Sequence, residues 1–170
     1  MTPRITHSAW PAHQDAIQQL RRAVFIIEQQ VPEALEWDDL DVLARHFCLW
    51  QLDRLVAYAR LLFFTEPHAV FNPPHGLTPV QAYGAPDGLA GGSGKITRMA
   101  VCKSARGQGL GRLLLRDLIA WARQAGLCQL SLDAQLQAEG FYQREGFVAC
   151  GEVFWDAGIE HRHMTLSLIR

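Results

Sequence analysis

The sequence RGQGLGR (Arg106–Arg112) stands between a strand-like run, Lys95–Val101, and a helical pattern that repeats as far as Trp121. The first amides of a helix lack partners within the helix, and the helix dipole adds partial positive charge at that end. Glycine removes the Cβ that would hold a ligand away from the backbone. A strand, a glycine turn and a helix start therefore predict a binding site for a phosphate or pyrophosphate group.

Three kinds of glycine-rich loop bind phosphate groups and compete to explain this stretch. The P-loop of nucleotide triphosphatases needs lysine and then serine or threonine after its last glycine, and no glycine of this chain is followed by such a pair. The Rossmann loop needs G-x-G-x-x-G; Gly107 and Gly109 fit, but Arg112 occupies the last position. The remaining pattern, R/Q-x-x-G-x-G/A, is matched by Arg106, Gly109 and Gly111.

That remaining pattern resembles the pyrophosphate loop of the GNAT family of N-acetyltransferases, and a second motif agrees with it. The sequence FYQREGF (Phe141–Phe147) resembles the family signature F-Y-x-x-x-G-F. Leu130–Asp133 is typical of a strand between the two motifs, and Gly146 of a helix C-cap before the next strand. The order strand, loop, helix, strand, helix, strand therefore favours this family over a chance surface turn.

The rest of the chain is similar to a narrower group, the ElaA-type branch of the family. In that branch glutamine replaces the asparagine that usually precedes the Phe-Tyr pair, and Gln135 stands at that position here. The similarity covers nearly the whole chain apart from a proline- and glycine-rich insertion. The similar stretches are Arg21–Gln29, Trp37–Leu40, Arg45–His46, Leu55–Arg60 and Ala157–His161.

The resemblance implies a fold and a reaction. The fold is expected to be α/β, in one domain over residues 1–170. Its sheet is expected to be mixed and mostly antiparallel, with six or seven strands that splay in the middle and about four flanking helices. The reaction is expected to be acetyl-coenzyme A-dependent transfer of an acetyl group to an amine that the sequence does not identify.

Two alternatives to this function stay open. One is a longer acyl donor, because Arg21 and Phe25 resemble an R-x-x-x-F motif of acyl-homoserine-lactone synthases. The other is a module that binds acyl-coenzyme A without catalysis.

The resemblance also assigns the residues that bind the donor. The backbone of the strand before the glycine loop is expected to bind the pantetheine arm, and the loop is expected to bind the pyrophosphate. The expected donor-binding residues are Met99, Ala100, Val101, Arg106, Gly107, Gln108, Gly109, Leu110, Gly111, Arg112 and Gln135.

Tyr142 is the predicted general acid, since the family's tyrosine at this position commonly lies near the thioester sulfur. A phenol with a pKa near 10 stays protonated at neutral pH and can donate its proton to the leaving thiolate. The alternative is a core tyrosine whose hydroxyl group is bonded elsewhere.

Two side chains are candidates for the general base. Glu28, near the end of the first predicted helix, is the first candidate, and a solvated helix-end residue is its alternative. His161 is the second, because the ordinary pKa of histidine, near 6.5, suits this role; a histidine on a strand face is its alternative. His46 is interpreted as structural. In the acidic stretch Glu33–Asp41, Asp38, Asp39 and Asp41 either attract a cationic acceptor amine or belong to a solvated loop, and no metal site is predicted.

Composition bounds the class of protein. The chain has 170 residues, of which 49% are hydrophobic and 19% charged, as is ordinary for a soluble globular protein. The net charge of −1 gives no reason to expect nucleic acid as a partner.

The sequence has no apolar run of about 18 residues, so no membrane span is predicted. The N-terminus also lacks the apolar core of a signal peptide. The four cysteines form no C-x-x-C pair, so we expect buried, reduced thiols and a cytoplasmic location. Analogy with the family allows a homodimer.

Hydrophobic spacing predicts a long first helix before the acidic stretch. It is expected over His13–Gln30, with one apolar stripe facing the sheet. The expected stripe consists of Ile17, Leu20, Val24 and Ile27.

Two hairpins and one insertion complete the prediction. Residues 46–52 and 55–64 are expected to form the first hairpin, and residues 148–155 and 161–169 the second. Residues 65–94 hold five of the eight prolines and six of the fourteen glycines, so we expect a long loop there. This loop is interpreted either as a disordered surface insertion or as a lid over the acceptor site or an oligomer contact.

Overall fold

The computed structural model of the protein covers residues 2–65 and 90–169. Four α-helices accompany a seven-stranded sheet, and a π-helical segment, Arg22–Glu28, continues the first helix without a break. The strands are β1 (Arg4–Ala9), β2 (Arg45–Gln51), β3 (Arg54–Phe64), β4 (Ser93–Val101), β5 (Gln129–Gln135), β6 (Val148–Asp156) and β7 (Ile159–Ser167). The helices are α1 (Gln14–Arg21), α2 (Glu33–Glu36), α3 (Leu110–Gln124) and α4 (Glu139–Gln143), and single 3-10 turns lie at 41–43, 103–105 and 136–138.

The sheet has the order β1-β2-β3-β4-β5-β7-β6. Every neighbouring pair runs antiparallel except β4 and β5, which run parallel. A parallel pair needs a crossover connection, and α3 supplies it. The mixed, mostly antiparallel sheet expected from the sequence is confirmed.

The sheet splays between β4 and β5. These strands pair only from Ser93 opposite Gln129 to Ile96 opposite Leu132. Beyond Ile96, β4 stays paired with β3, while β5 stays paired with β7. In the described part of the chain, residues 97–101 of β4 therefore have no strand partner on the β5 side, which leaves a cleft at the carboxyl ends of the two strands.

A β-bulge bends β4 where the cleft opens. Arg60 of β3 stands opposite Thr97, whereas Tyr58 stands opposite Ala100, so two residues of β4 face one residue of β3. One of the two, Arg98, has a positive φ of 54°. Because a bulge increases local twist and re-aims the strand, it turns the end of β4 away from β5.

Helix α3 covers one face of the sheet. Leu110, Leu114 and Leu118 recur at four-residue spacing and are all buried, as a helix packed on a sheet requires. The ring of Trp121 contacts Phe63 with centroids 5.8 Å apart. At the start of the helix, a Cβ on Gly111 would lie 3.1 Å from Cγ2 of Val101. Glycine at this position therefore lets α3 begin directly against the end of β4.

Helix α1 and the π-helical segment lie on the other face. Ile17, Leu20 and Val24 are buried there, as predicted, but Ile27 is 64% exposed. The prediction for Ile27 was wrong because the winding changes before it. The amide of Gln29 bonds to the carbonyl of Val24, five residues back, and this wider turn rotates the following side chains away from the α-helical stripe.

A buried charged network joins α1 to the acidic stretch and to β3. Nε of Arg21 donates to Glu36 at 2.5 Å, and its Nη1 donates to Asp41 at 2.8 Å. Arg60 pairs with Asp41 at 2.8 Å and with Asp38 at 2.6 Å. The alternative of a solvated loop is therefore wrong for Asp41, which is buried, and Asp38 is partly enclosed as well, because arginines from α1 and β3 pair with these carboxylates. Arg21 thus joins α1 to the acidic stretch.

The hairpins occur close to where they were expected. Ala157-Gly158 joins β6 to β7, and both residues have positive φ, as a two-residue hairpin turn needs. Most of the predicted insertion, residues 66–89 with their alternatives of lid or surface loop, lies outside the described residues. Near the C-terminal end of the predicted insertion, β4 begins at Ser93. Of the helices that the structure describes, none is both long enough and apolar enough to cross a membrane.

The four cysteines, all within the described residues, are reduced thiols, and only two of them are buried. Cys48 and Cys102 are enclosed, whereas Cys128 and Cys150 are partly exposed. The prediction of buried thiols was therefore wrong for Cys128 and Cys150. Cys128 precedes β5 and Cys150 lies on the edge strand β6, so neighbouring strands cover neither on both sides.

Candidate active site

A cavity of about 550 Å³ lies in the cleft between β4 and β5. It brings together the π-helical segment, the ends of both splayed strands, and α4. The predicted residues that line it are Glu28, Met99, Ala100, Val101, Arg106, Gly111, Gln135, Tyr142 and His161. The structure thus gathers all three predicted catalytic side chains around one space.

A second pocket, of about 360 Å³, lies at the start of α3. It shares Val101, Arg106, Gly111 and Phe141 with the first, so the two pockets adjoin along these residues. The predicted loop residues that line it are Arg106, Gly107, Gly109, Leu110, Gly111 and Arg112. Gln108 lines neither pocket, and its amide instead donates to the carbonyl of Ser104 at 3.3 Å.

The glycine loop has the geometry of an anion site. Gly107 and Gly109 both have φ of 75°, a left-handed backbone conformation that residues with a Cβ adopt only with strain. The first helical hydrogen bond runs from the amide of Leu113 to the carbonyl of Gly109 at 3.0 Å. The amides of residues 110–112 precede that bond and have no acceptor within the helix, which leaves them for a ligand.

Arg106 takes up a different position from the one expected of a pyrophosphate ligand. Its Nε donates to the carbonyl of Val101 at 3.0 Å, and its two Nη atoms donate to the carboxylate of Glu28 at 2.5 and 2.9 Å. The guanidinium therefore ties the end of β4 to the end of the π-helical segment. The sequence did not reveal this contact, because 78 residues separate the partners.

This ion pair changes the chemistry of Glu28. The hydrogen bond from Arg106 holds the pKa of the Glu28 carboxyl below its ordinary value. A carboxylate of lowered pKa is a weaker proton acceptor, since efficient bases have pKa values near the working pH. The geometry therefore favours a positioning role for Glu28 over that of a base.

His161 has a ring orientation suited to accepting a proton. Its Nδ1 lies 2.9 Å from the carbonyl of Ile159, which can only accept, so Nδ1 carries the hydrogen in the neutral ring. Nε2 then keeps its lone pair. The ring stacks on Phe154 with centroids 5.9 Å apart, which fixes its plane at the edge of the cavity.

Tyr142 lies on α4 between two aromatic neighbours. Its ring contacts Phe141 at 5.0 Å and Phe147 at 5.9 Å between centroids. Burial raises the pKa of its phenol above the ordinary value, so the hydroxyl stays protonated. Within residues 2–65 and 90–169 the hydroxyl of Tyr142, a partly buried residue, has no hydrogen-bond partner, whereas that of the fully buried Tyr58 is bonded to His46 at 2.7 Å. That bond, with a second to the carbonyl of Asp41, agrees with a structural role for His46.

Gln135 bridges two other glutamines at the mouth of the cavity. Its amide nitrogen donates to Gln29 at 2.9 Å, and its amide oxygen accepts a hydrogen bond from Gln137 at 2.6 Å. The side chain thus connects the end of the π-helical segment to the turn after β5. Sequence reasoning missed Gln29 and Gln137, which also line the cavity.

Asp133 is a further cavity residue that sequence reasoning missed. Its carboxylate accepts from Nδ1 of His163 at 2.7 Å and pairs with Nζ of Lys95 at 2.7 Å. Burial alone would raise its pKa, but these two partners lower the pKa to about 2, so it is an anion at neutral pH. Strand alternation through Leu130–Asp133 was the available signal, since it sets Asp133 apart from the apolar leucines.

Comparison with known proteins agrees with this geometry. The family model of the acetyltransferase (GNAT) domain matches residues 83–168. Protein ElaA of Escherichia coli (strain K12) is 31% identical over 161 residues, which cover 91% of this chain and 88% of that protein. The protein YyaT of Bacillus subtilis (strain 168) is 30% identical over 151 residues, covering 89% and 86% of the two chains.

Solved structures show the same fold. An acyl-CoA N-acyltransferase from Pseudomonas aeruginosa matches with a TM-score of 0.73 and 30% identity, covering 96% of this chain and 99% of that one. E. coli ElaA matches with a TM-score of 0.70 and 27% identity over 96% and 99%. Since the matching family model spans both the glycine loop and the Phe-Tyr motif that line the cleft, the chain belongs to the GNAT family and is an acyltransferase.

Proposed function

We propose that this protein transfers an acetyl group from acetyl-coenzyme A directly to an acceptor amine. The adjacency of the two pockets, which share four lining residues, is the observation that carries the proposal. A donor with its pyrophosphate on the loop amides can run along the unpaired edge of β4 and reach the cavity where Tyr142 and His161 lie. One extended ligand therefore accounts for the glycine loop, the splayed strands and the catalytic candidates together.

The pantetheine arm is proposed to add to β4 as a short strand would. The edge of β4 at residues 97–101 has no strand partner among the described residues on the cleft side. Amides of the arm can bond to it, and a backbone amide of Met99 or Ala100 can polarise the thioester carbonyl. This role depends on the backbone, so the side chains there mainly shape the cavity.

The proposed reaction proceeds through a tetrahedral intermediate. The neutral amine attacks the thioester carbonyl carbon, so a carbon–nitrogen bond forms and the carbonyl oxygen becomes an oxyanion. The intermediate collapses with cleavage of the carbon–sulfur bond. Tyr142 donates its phenolic proton to the leaving thiolate and recovers a proton from solvent, while the proton of the attacking amine passes to the base.

We assign the base to His161 ahead of Glu28. His161 keeps a free Nε2 lone pair at the cavity, whereas the carboxylate of Glu28 is held by Arg106 and has a lowered pKa. Glu28 is proposed to position Arg106 and the end of β4. A water molecule between His161 and the amine can relay the proton.

The pH dependence of kcat/KM distinguishes the two candidates. A base must be deprotonated, so activity rises with pH as the base loses its proton, and Arg106 holds the pKa of the Glu28 carboxyl below the ordinary glutamate range. We expect a rise of kcat/KM near neutral pH in wild type that is absent in His161→Ala, with kcat/KM at pH 7.5 lower by about a hundredfold. Glu28→Gln, the matched control, keeps the rise. If the rise survives in His161→Ala and disappears in Glu28→Gln, the assignment is reversed.

A longer acyl donor remains a second candidate because parts of the cavity wall are apolar. Val24, Phe25, Ile96 and Leu132 line the inner part of the cavity, at and opposite the point where the strands separate. Such walls can hold a hydrocarbon chain. The hydroxyl of Tyr142 has no hydrogen-bond partner among the described residues, and Tyr142 lines the cavity, which favours catalysis over a binding module without catalysis.

Release of free coenzyme A thiol from acetyl- and octanoyl-coenzyme A, measured over a panel of amines, tests the proposed function. We expect faster release from the acetyl donor with at least one amine, and a decrease of about a hundredfold in kcat in Tyr142→Phe. Tyr58→Phe removes a buried hydroxyl of a residue that does not line the cavity and serves as the control. Preference for the octanoyl donor would establish the second candidate, and equal rates in wild type and Tyr142→Phe would refute the acid assignment.

The panel also identifies the acceptor, which we propose to be a small or protein amine. A homodimer and a cytoplasmic location stay predictions, to be checked by light scattering and by cell fractionation.

A further inference from the structure

Two arginines pair with one carboxylate beside the glycine loop, and a third arginine lines the same pocket. Glu145, which follows α4, has a side chain only 6% exposed. Its Oε1 accepts from Nε of Arg112 at 2.5 Å, and its Oε2 accepts from Nε of Arg116 at 2.7 Å. Arg144 lines the same pocket as Arg112 and Glu145. We call these four residues the arginine cluster.

The cluster leaves its outer donors free. Arg112 and Arg116 are more than half exposed, at 52% and 56%, and bind Glu145 through Nε alone. Among residues 2–65 and 90–169 their Nη groups have no hydrogen-bond partner, and neither does the exposed side chain of Arg144. A guanidinium held at Nε presents its remaining N–H groups as a fixed fork, the geometry that suits a phosphate.

The charges in the cluster do not cancel. Three arginines and one glutamate leave two positive charges in excess. The nearest acid on α4, Glu139, is already engaged with Gln143 at 2.9 Å and with Arg162 at 3.7 Å. A phosphate monoester, which carries close to two negative charges at neutral pH, matches this excess.

The position of the cluster fits a second phosphate on the same ligand. Arg112 lies in the first turn of α3, beside the loop amides, and Arg116 lies one turn further, about 6 Å along the axis. The cluster therefore extends from the smaller pocket along α3, and none of its residues lines the cavity that holds Tyr142. Coenzyme A carries its 3′-phosphate on the ribose that directly follows the pyrophosphate, so a pyrophosphate on the loop brings this group to the side of the loop away from that cavity.

We propose that Arg112, Arg116 and Arg144 bind the 3′-phosphate of the coenzyme A donor, and that Glu145 positions Arg112 and Arg116 for this contact. The inference rests on the proposed use of acyl-coenzyme A and extends it. It makes the arginine cluster a specificity element that selects coenzyme A over donors with the same thiol arm and pyrophosphate but no 3′-phosphate.

Calorimetric titration with coenzyme A and dephospho-coenzyme A tests the proposal, because the two ligands differ only in that phosphate. We expect wild type to bind coenzyme A at least about tenfold more tightly. Arg116→Ala should weaken coenzyme A binding by about tenfold and leave dephospho-coenzyme A binding unchanged, which also shows that the variant is folded. Arg123→Ala, an exposed arginine in the last turn of the same helix, is the matched control and should change neither affinity.

Equal affinity of wild type for the two ligands would overturn the proposal while leaving the proposed function intact. An equal loss for both ligands in Arg116→Ala would also overturn it, since the arginine would then act only through general attraction. Failure of wild type to bind either ligand would refute the proposed donor itself, and this inference with it.

Glu145→Gln separates positioning from net charge. The substitution removes a negative charge, so a purely electrostatic cluster would bind coenzyme A more tightly. We expect the opposite: the ratio of the two affinities falls toward one, because Arg112 and Arg116 lose the carboxylate that holds them. A higher ratio in Glu145→Gln would refute the positioning role of Glu145.

Discussion

Replacing Arg21 with alanine is expected to lower the free energy of unfolding by about 3–5 kcal/mol, since it leaves buried carboxylates without their partner. Arg21 is fully buried, and its guanidinium holds Glu36 and Asp41, which are themselves almost completely enclosed. Arg60 and Arg98 compensate only in part, because neither reaches the carboxylate oxygen that Arg21 occupied on Glu36. Chemical denaturation at neutral pH, followed by circular dichroism, measures the change.

The neighbouring residue supplies the control. Arg22 pairs with Glu33 on the surface, where both side chains are about half exposed, and such pairs contribute at most about 1 kcal/mol. Arg22→Ala should therefore cost little. If the two variants lose equal stability, the buried network is not what fixes the acidic stretch against α1.

Replacing Gly109 with glutamate is expected to weaken acetyl-coenzyme A binding by more than about a hundredfold. A Cβ at this position meets no atom within 4 Å, so the side chain fits, but it places a carboxylate where the pyrophosphate is proposed to lie. Two like charges about 4 Å apart near a protein surface repel by up to about 4 kcal/mol, which exceeds a hundredfold in affinity. Calorimetric titration of acetyl-coenzyme A into both proteins measures the loss.

Gly109→Ala separates this repulsion from backbone strain. Both variants must hold a side chain at a φ of 75°, which costs about 1–2 kcal/mol of stability in each. Only the glutamate adds charge, so alanine should weaken binding far less. Equal affinity of wild type and Gly109→Glu would show that the loop does not bind the pyrophosphate.

The sequence was enough to predict those residues whose type is required by a bound ligand or by a particular backbone conformation. Gly107, Gly109 and Gly111 are readable because left-handed φ or close packing excludes other residues. The order of elements and the splay between β4 and β5 followed from the resemblance. These requirements are local, or belong to the family, so one sequence is enough to reveal them.

Contacts between distant segments were not predictable in the same way. Nothing in the spacing of Glu28 and Arg106 shows that they pair, and this pair changes the role of both. Apolar spacing gives no sign of the π-helical winding that exposes Ile27. Asp133 was visible by strand alternation, but only the structure places Lys95 and His163 against it.

The short pairing of β4 with β5 has a mechanical consequence for the whole molecule. In the described part of the chain only four residue pairs join these strands, and the strands on either side come from separate halves, residues 4–101 and 129–167. The donor cleft is therefore also the seam between the two halves. A ligand that fills the cleft holds the halves together, and at a hundred times its Kd it adds about 2.7 kcal/mol to the resistance of the protein to unfolding. Thermal shift is thus a direct way to rank donors and acceptors before any turnover is measured.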